Sequence, residues 1–339
     1  MTMATFTNMK IERKARQEQK KALREAKIAT WPIWAQYLYN FGAGLFGGSS
    51  VGVGLFIGGM MASMSLLMII GVYFDIDFIV DVVYNMADFY AAVDAGTFTI
   101  ENFGMDTVLE ISNFLLISMF LGYIPTFIYM FSKKDLDGGY KKDIDFAQLF
   151  KYLTIFYVIN LGLEIILNQV AVIPALAAAN ADLASVNLLA TEGNIWLCLA
   201  VTGFGAAVSE EISLRYFTQR SMYKVGPVFA IVWQAILFGF LHMNLLQGVF
   251  AAIMGVLLGI IYYKTNNLWY TTIIHIVNNS LAVLITQFGI NSYVAYTILP
   301  ILFYGAYYIL HNKATYKEKK VSEIVAYIKA NNTVETVEI

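Results

Sequence analysis

Apolar residues run in long, nearly unbroken stretches along this chain, and the polar positions gather between them. The stretches fall at about 48–74, 108–131, 152–176, 194–216, 226–243, 246–263, 269–287 and 293–311. A helix needs about 20 apolar residues to cross about 30 Å of hydrocarbon, so each stretch predicts a transmembrane helix. They are too long and continuous for the alternating strands of an outer-membrane barrel. Residues 31–74 exceed one span. There "FGAGLFGGSSVGVGLFIGG" suits a helix packed closely through small residues, and the preceding "WPIWAQYLYNF" an interfacial aromatic segment. In residues 75–94 the polar positions Asp77, Asp81, Asn85 and Asp88 recur at helical spacing, with Phe78, Val82 and Phe89 opposite. That pattern predicts an amphipathic helix on the outer membrane surface.

Composition agrees with this pattern. The 339 residues are 58% hydrophobic and only 14% charged, against about 45–50% and about 25% in average soluble domains. The expected fold class is all-α: a polytopic membrane protein of about eight transmembrane helices. The 22 Lys and Arg then give direction. Eight fall in residues 10–27, five in 133–151, three in 215–224, one at Lys264 and five in 313–329. Residues 75–107, 177–193 and 288–292 contain none. By the positive-inside rule the basic segments are cytoplasmic, which eight spans satisfy with both termini inside. Two spans in 31–74 would break that parity, so one is expected. The basic stretch "KIERKARQEQKKALREAK" reads as a solvated helix near anionic headgroups, and the net charge of −2 argues against nucleic acid as a partner. The N-terminus has no short apolar region with a cleavage site and reads as a retained arm.

Within this frame a few polar side chains stand out. "VSEEISLRYF" places Glu210, Glu211 and Arg215 inside a span, where each carboxylate costs about 2.5–3.5 kcal/mol on insertion scales. Glu211 and Arg215 are four apart and oriented to pair. Glu210 points about 100° away and needs another partner, for which His242 is the candidate. His242 follows Phe238 by one turn, and His275 and Asn279 share a helix face. All four lie roughly 15–27 Å along their helices from the basic loops, so a carboxylate, two imidazoles and an amide can converge on one cavity. Such a set suits amide hydrolysis, with a carboxylate and an imidazole activating water and donors steadying an oxyanion. A purely structural network of the charges is the alternative, and a lone His in a span is more often a helix–helix hydrogen bond. Cys198 lies more than three turns from Glu210 and reads as a packing residue. "HExxH" is absent, which excludes a zincin-type site, whereas zinc on Glu210, His242 and His275 stays chemically open.

"EEISLR", "FGFLH" and "HIVNN" resemble, in order and with family-like spacing, the motifs EExxxR, FxxxH and HxxxN of the CPBP intramembrane proteases. That family includes the type II CAAX prenyl endopeptidases and bacteriocin-processing or immunity relatives. The resemblance covers about residues 195–285. It implies an eight-helix fold and glutamate-dependent proteolysis, and a metal-free water mechanism with no cofactor fits these residues better than a metalloprotease. Glu210 and His242 would activate water, His275 and Asn279 would form the oxyanion hole, and Glu211, Arg215 and Phe238 would support the site. Leu214 and Tyr216 depart from the Phe and Gly common beside the arginine, which reshapes the pocket while leaving the polar set complete.

The organisation expected is therefore a basic cytoplasmic arm (1–30), a three-span region (31–190), a CPBP protease core (191–290), a last transmembrane helix (291–312) and a cytoplasmic tail (313–339). The expected setting is the plasma membrane of a bacterium, crossed several times. The expected partners are the lipid bilayer and a peptide or membrane-protein substrate. Glu164 and Asn168, one turn apart in the third span, are candidates for the substrate path or for a structural hydrogen bond. A non-catalytic immunity or regulatory scaffold of the same family is the alternative function. A transporter ranks third, since no internal repeat or matching pair of broken helices is visible.

Overall fold

The computed structural model describes residues 3–74, 76–95, 104–132, 143–170 and 194–331. The described residues form ten helices: α1 (Met3–Ala29), α2 (Ile33–Tyr73), α3 (Asp77–Asp94), α4 (Met105–Ser132), α5 (Phe146–Val170), α6 (Ile195–Met222), α7 (Pro227–Leu241), α8 (Leu245–Thr265), α9 (Leu268–Gln287) and α10 (Ser292–Asn331). Seven of them, α2, α4, α5, α6, α8, α9 and α10, are long and apolar enough to cross a membrane. The chain is an all-α, multi-pass integral membrane protein. The expected span at 226–243 forms α7, a helix of only 15 residues.

Local chemistry sets the helix ends. Asn194, Asn244 and Asn267 each accept hydrogen bonds from backbone N–H groups of the first turn of α6, α8 and α9, satisfying donors that have no partner within the helix. Gly226 and Pro227 open α7 with proline at its first position, where the missing N–H costs nothing. Asn266, left-handed at φ 46°, ends α8 immediately before Asn267 starts α9.

The segment read as interfacial, 31–44, joins the following span instead: α2 is one helix of 41 residues with a π-helical turn at Leu45–Ser49. Gly44, Gly48 and Gly52 lie four apart along it and meet α6 backbone to backbone. A Cβ at Gly44 would stand 2.9 Å from the Ser221 carbonyl oxygen, and one at Gly52 2.5 Å from that of Ser213. Small residues let two helices approach this closely, so α2 lies directly against α6. In α3, Val82 and Met86 pack on Val108, Ile111 and Phe114 of α4, while Asp77, Asp81 and Asp88 are exposed. The amphipathic helix exists as expected; the side chains of Phe78 and Phe89 lie outside the described residues.

α6 is the centre of the bundle, touching α2, α4, α7, α8 and α9. α7 and α8 form a tight hairpin: a Cβ at Gly239 would lie 2.7 Å from the Gly248 carbonyl oxygen, and Gly255 leaves room for Phe238. Gln234 donates to the Gly255 carbonyl at 2.7 Å and Gln219 to that of Gly259 at 2.9 Å. α10 runs along α5, with Tyr157 against Tyr296 and Phe303.

Candidate active site

α6 delivers the acidic groups. Two π-helical stretches, Leu199–Ala206 and Ile212–Gln219, flank the short α-helical piece Ala207–Glu211. Such widened turns frequently accompany functional sites. Glu211 and Arg215 are both fully buried, with Glu211 Oε1 3.1 Å from Arg215 Nη1. The same oxygen accepts from His275 Nδ1 of α9 at 2.8 Å. The other nitrogen of that ring, Nε2, stands 3.4 Å from Glu210 Oε2. One imidazole is thus held between two neighbouring carboxylates, and Glu210 keeps some exposure, 14%, on its far side.

The direct contact of Glu210 is thus with His275 of α9, whereas the sequence singled out only His242 as its partner. Successive residues on α6 do point about 100° apart, but an imidazole carries nitrogens on two edges and can bridge that angle from a single position on α9. Arg215 supplies the counter-charge to Glu211, which suits an interior where an unpaired charge is costly.

His242 sits at the C-terminal end of α7, and its Nδ1 lies 2.8 Å from the Phe238 carbonyl oxygen. A carbonyl only accepts, so Nδ1 carries the hydrogen of this bond. Phe238 organises the neighbourhood. Its ring centroid is 4.9 Å from that of His242 and 5.6 Å from that of His275, both edge-on. The Arg215 guanidinium carbon is 4.9 Å from the same centroid. Phe238 therefore brings both imidazoles and the buried arginine onto one ring, although Glu210 and His242 sit on different helices.

Asn279, one turn after His275, donates through Nδ2 to the Thr202 carbonyl of α6 at 3.2 Å, leaving its second amide hydrogen uncommitted to that bond. Its neighbour Asn278 accepts from Asn160 of α5 at 3.0 Å. Neither Thr202 nor Asn160 stands out in the sequence: a backbone acceptor has no residue signature, and a single Asn in an apolar run reads as ordinary. Glu164 accepts from Ser292 of α10 at 2.9 Å, a helix–helix bond away from these residues. The Asn168 side chain lies outside the described residues. Cys198 packs with Phe56, Leu116 and Tyr123. Among the described residues no three His, Cys, Asp or Glu side chains are grouped to hold a metal ion. Beyond His242, the turn from α7 to α8 borders an apolar cleft of about 450 Å³ whose walls include Phe240, Met243, Leu245 and Val249.

Fold and site define a class: a multi-pass helical membrane protein with a Glu–His–Glu–Arg cluster inside its spans. Residues 192–281 match the family model described as Rce1-like, type II CAAX prenyl endopeptidase Rce1-like. A domain of the CPBP/Rce1-like family is thus found over that part of the chain, and it takes in Glu210, His242, His275 and Asn279. No curated protein and no solved structure matches the chain.

Proposed function

We propose that this protein is a glutamate-dependent intramembrane endopeptidase that hydrolyses a peptide bond of a peptide or membrane-associated protein. The observation that carries this reading is the chain Arg215–Glu211–His275–Glu210, with contacts of 3.1, 2.8 and 3.4 Å. Ionisable groups within spans are expensive and mark functional sites. Only Glu210 of the four keeps an open side.

In the proposed reaction Glu210 takes a proton from water while the lone pair at His242 Nε2 orients the same water. The hydroxide adds to the substrate carbonyl. Once protonated, Glu210 releases its hold on His275, whose Nε2–H then turns to the oxyanion together with the free amide hydrogen of Asn279. Glu210 returns its proton to the leaving amine, which balances the step. Glu211 and Arg215 fix the orientation of His275, and the cleft beyond His242 seats the apolar part of the substrate. By the positive-inside rule the basic segments favour cytoplasmic termini, and the proposed cleavage faces the cytoplasmic side of the membrane.

A second reading, a non-catalytic immunity or regulatory scaffold, is favoured by one observation: Asn279 and both nitrogens of His275 already have partners within the protein. Purified protein in nanodiscs, incubated with membrane-anchored reporter peptides and followed by mass spectrometry, separates the two. Glu210→Gln is expected to lose about 10²–10⁴-fold in cleavage rate while remaining folded. Undiminished cleavage by that variant ends the proposed mechanism. No cleavage by the wild type, with binding of the same peptides retained, favours the scaffold.

A further inference from the structure

Arg220 lies on the last turn of α6, beyond the cluster that holds Glu210. It is half-buried, and its guanidinium carbon is 5.0 Å from the Tyr216 ring centroid. The buried Tyr262 hydroxyl of α8 lies beside it. The other basic residues of this stretch have counter-charges: Arg215 has Glu211 at 3.1 Å and Lys224 has Glu25 at 3.2 Å. Arg220 has no carboxylate within ion-pair distance among the described residues.

Arg220 instead borders a cavity of about 410 Å³ between α2, α4 and α6, whose walls include Gly47, Val51, Tyr129, Phe217 and Ser221. Nothing stands within 4 Å of the position a Cβ on Gly47 would take, so the π-helical turn of α2 leaves this wall open. A partly desolvated guanidinium without a counter-charge is costly, and a bound anion removes that cost. Its planar fork matches phosphate oxygens. The location selects the source. Arg220 stands at the basic end of α6, four residues before Lys224, where the membrane presents headgroup phosphates. Val51 and Phe217 give the cavity an apolar side fit for an acyl chain rather than a fully hydrated ion.

We propose that this cavity binds the phosphate headgroup of an anionic phospholipid, with Arg220 as the anchoring cation. The assignment does not depend on peptidase activity. Native mass spectrometry of the full chain, released from nanodiscs with equal phosphatidylglycerol and phosphatidylcholine, reads the occupancy. Wild type and Arg220→Lys should each retain one phosphatidylglycerol, and retention should fall about fivefold or more in Arg220→Gln. Gly47→Leu, which fills the cavity and leaves every charge in place, should lose it as well, and decides the matter if Arg220→Gln does not fold. Wild-type retention in Gly47→Leu or in folded Arg220→Gln overturns the proposal. So does equal retention of phosphatidylcholine. Displacement of the lipid by inorganic phosphate would make this a soluble-anion site and overturns the lipid assignment.

Discussion

α6 and α10 are almost equally apolar, with mean hydropathy of 1.4 and 1.5 over their most apolar stretches, yet 56% of those residues are buried in α6 and 6% in α10. Hydropathy marks what the bilayer accepts and says nothing about which helix the protein encloses. The distinction lies in the minority residues. α6 is met by Gly44 and Gly52 of α2 at backbone distance and carries Ser209, Glu211, Ser213 and Arg215 fully buried. α10 turns Ile301, Leu302, Tyr304 and Tyr308 outward. Lipid offers no partners to such polar groups, so they sit where the protein encloses them.

Arg215→Ala should break this contrast most severely. It leaves Glu211 buried without its counter-charge and should destabilise the fold by about 3–5 kcal/mol, read as a loss of thermal stability in detergent. Removing the Asn279 amide sharpens the contrast within α6 and α9. Asn279→Ala should cost about 10²–10³-fold in cleavage rate, the worth of one oxyanion donor, with substrate binding retained in a direct assay. Gly52→Leu tests the close approach of α2: its side chain would enter the Ser213 carbonyl and Phe217 of α6. Overpacking of that kind should cost about 1–3 kcal/mol, measured by equilibrium unfolding. On the other side, Ile301→Ala in α10, 67% exposed, should stay within about 0.5 kcal/mol of wild type by the same measurement. A large loss there would mean that α10 is covered by something other than lipid.

Most of this arrangement was legible in the sequence wherever a signal repeats along one segment. Run length located the spans because hydrocarbon thickness imposes a minimum, and the spacing of Asp77, Asp81 and Asp88 located α3. Small residues in "FGAGLFGG" foretold the close packing of α2, though not that Ile33–Gly44 would continue the same helix. A helix end depends on caps and neighbours, not on apolar content. The pairing of Glu210 with His275 was not legible, since helical phase fixes the direction a residue leaves its own helix and not the rotation of the facing one. Gln219, Gln234 and Asn160 were likewise invisible as bridges. Each bonds a partner on another helix, two of them backbone carbonyls, and neither the partner nor the register between helices is written in local sequence.

The shortness of α7 bears on supply rather than on chemistry. Fifteen residues span about 22 Å, roughly 8 Å less than a typical hydrocarbon core. The chain turns back at Met243, 93% exposed and at φ 53°, and Asn244, so an exposed turn stands immediately after His242. One way a bilayer meets so short a helix is to thin. For the proposed hydrolysis such thinning would bring bulk solvent nearer the His242 ring, and water is the reactant a membrane interior supplies least.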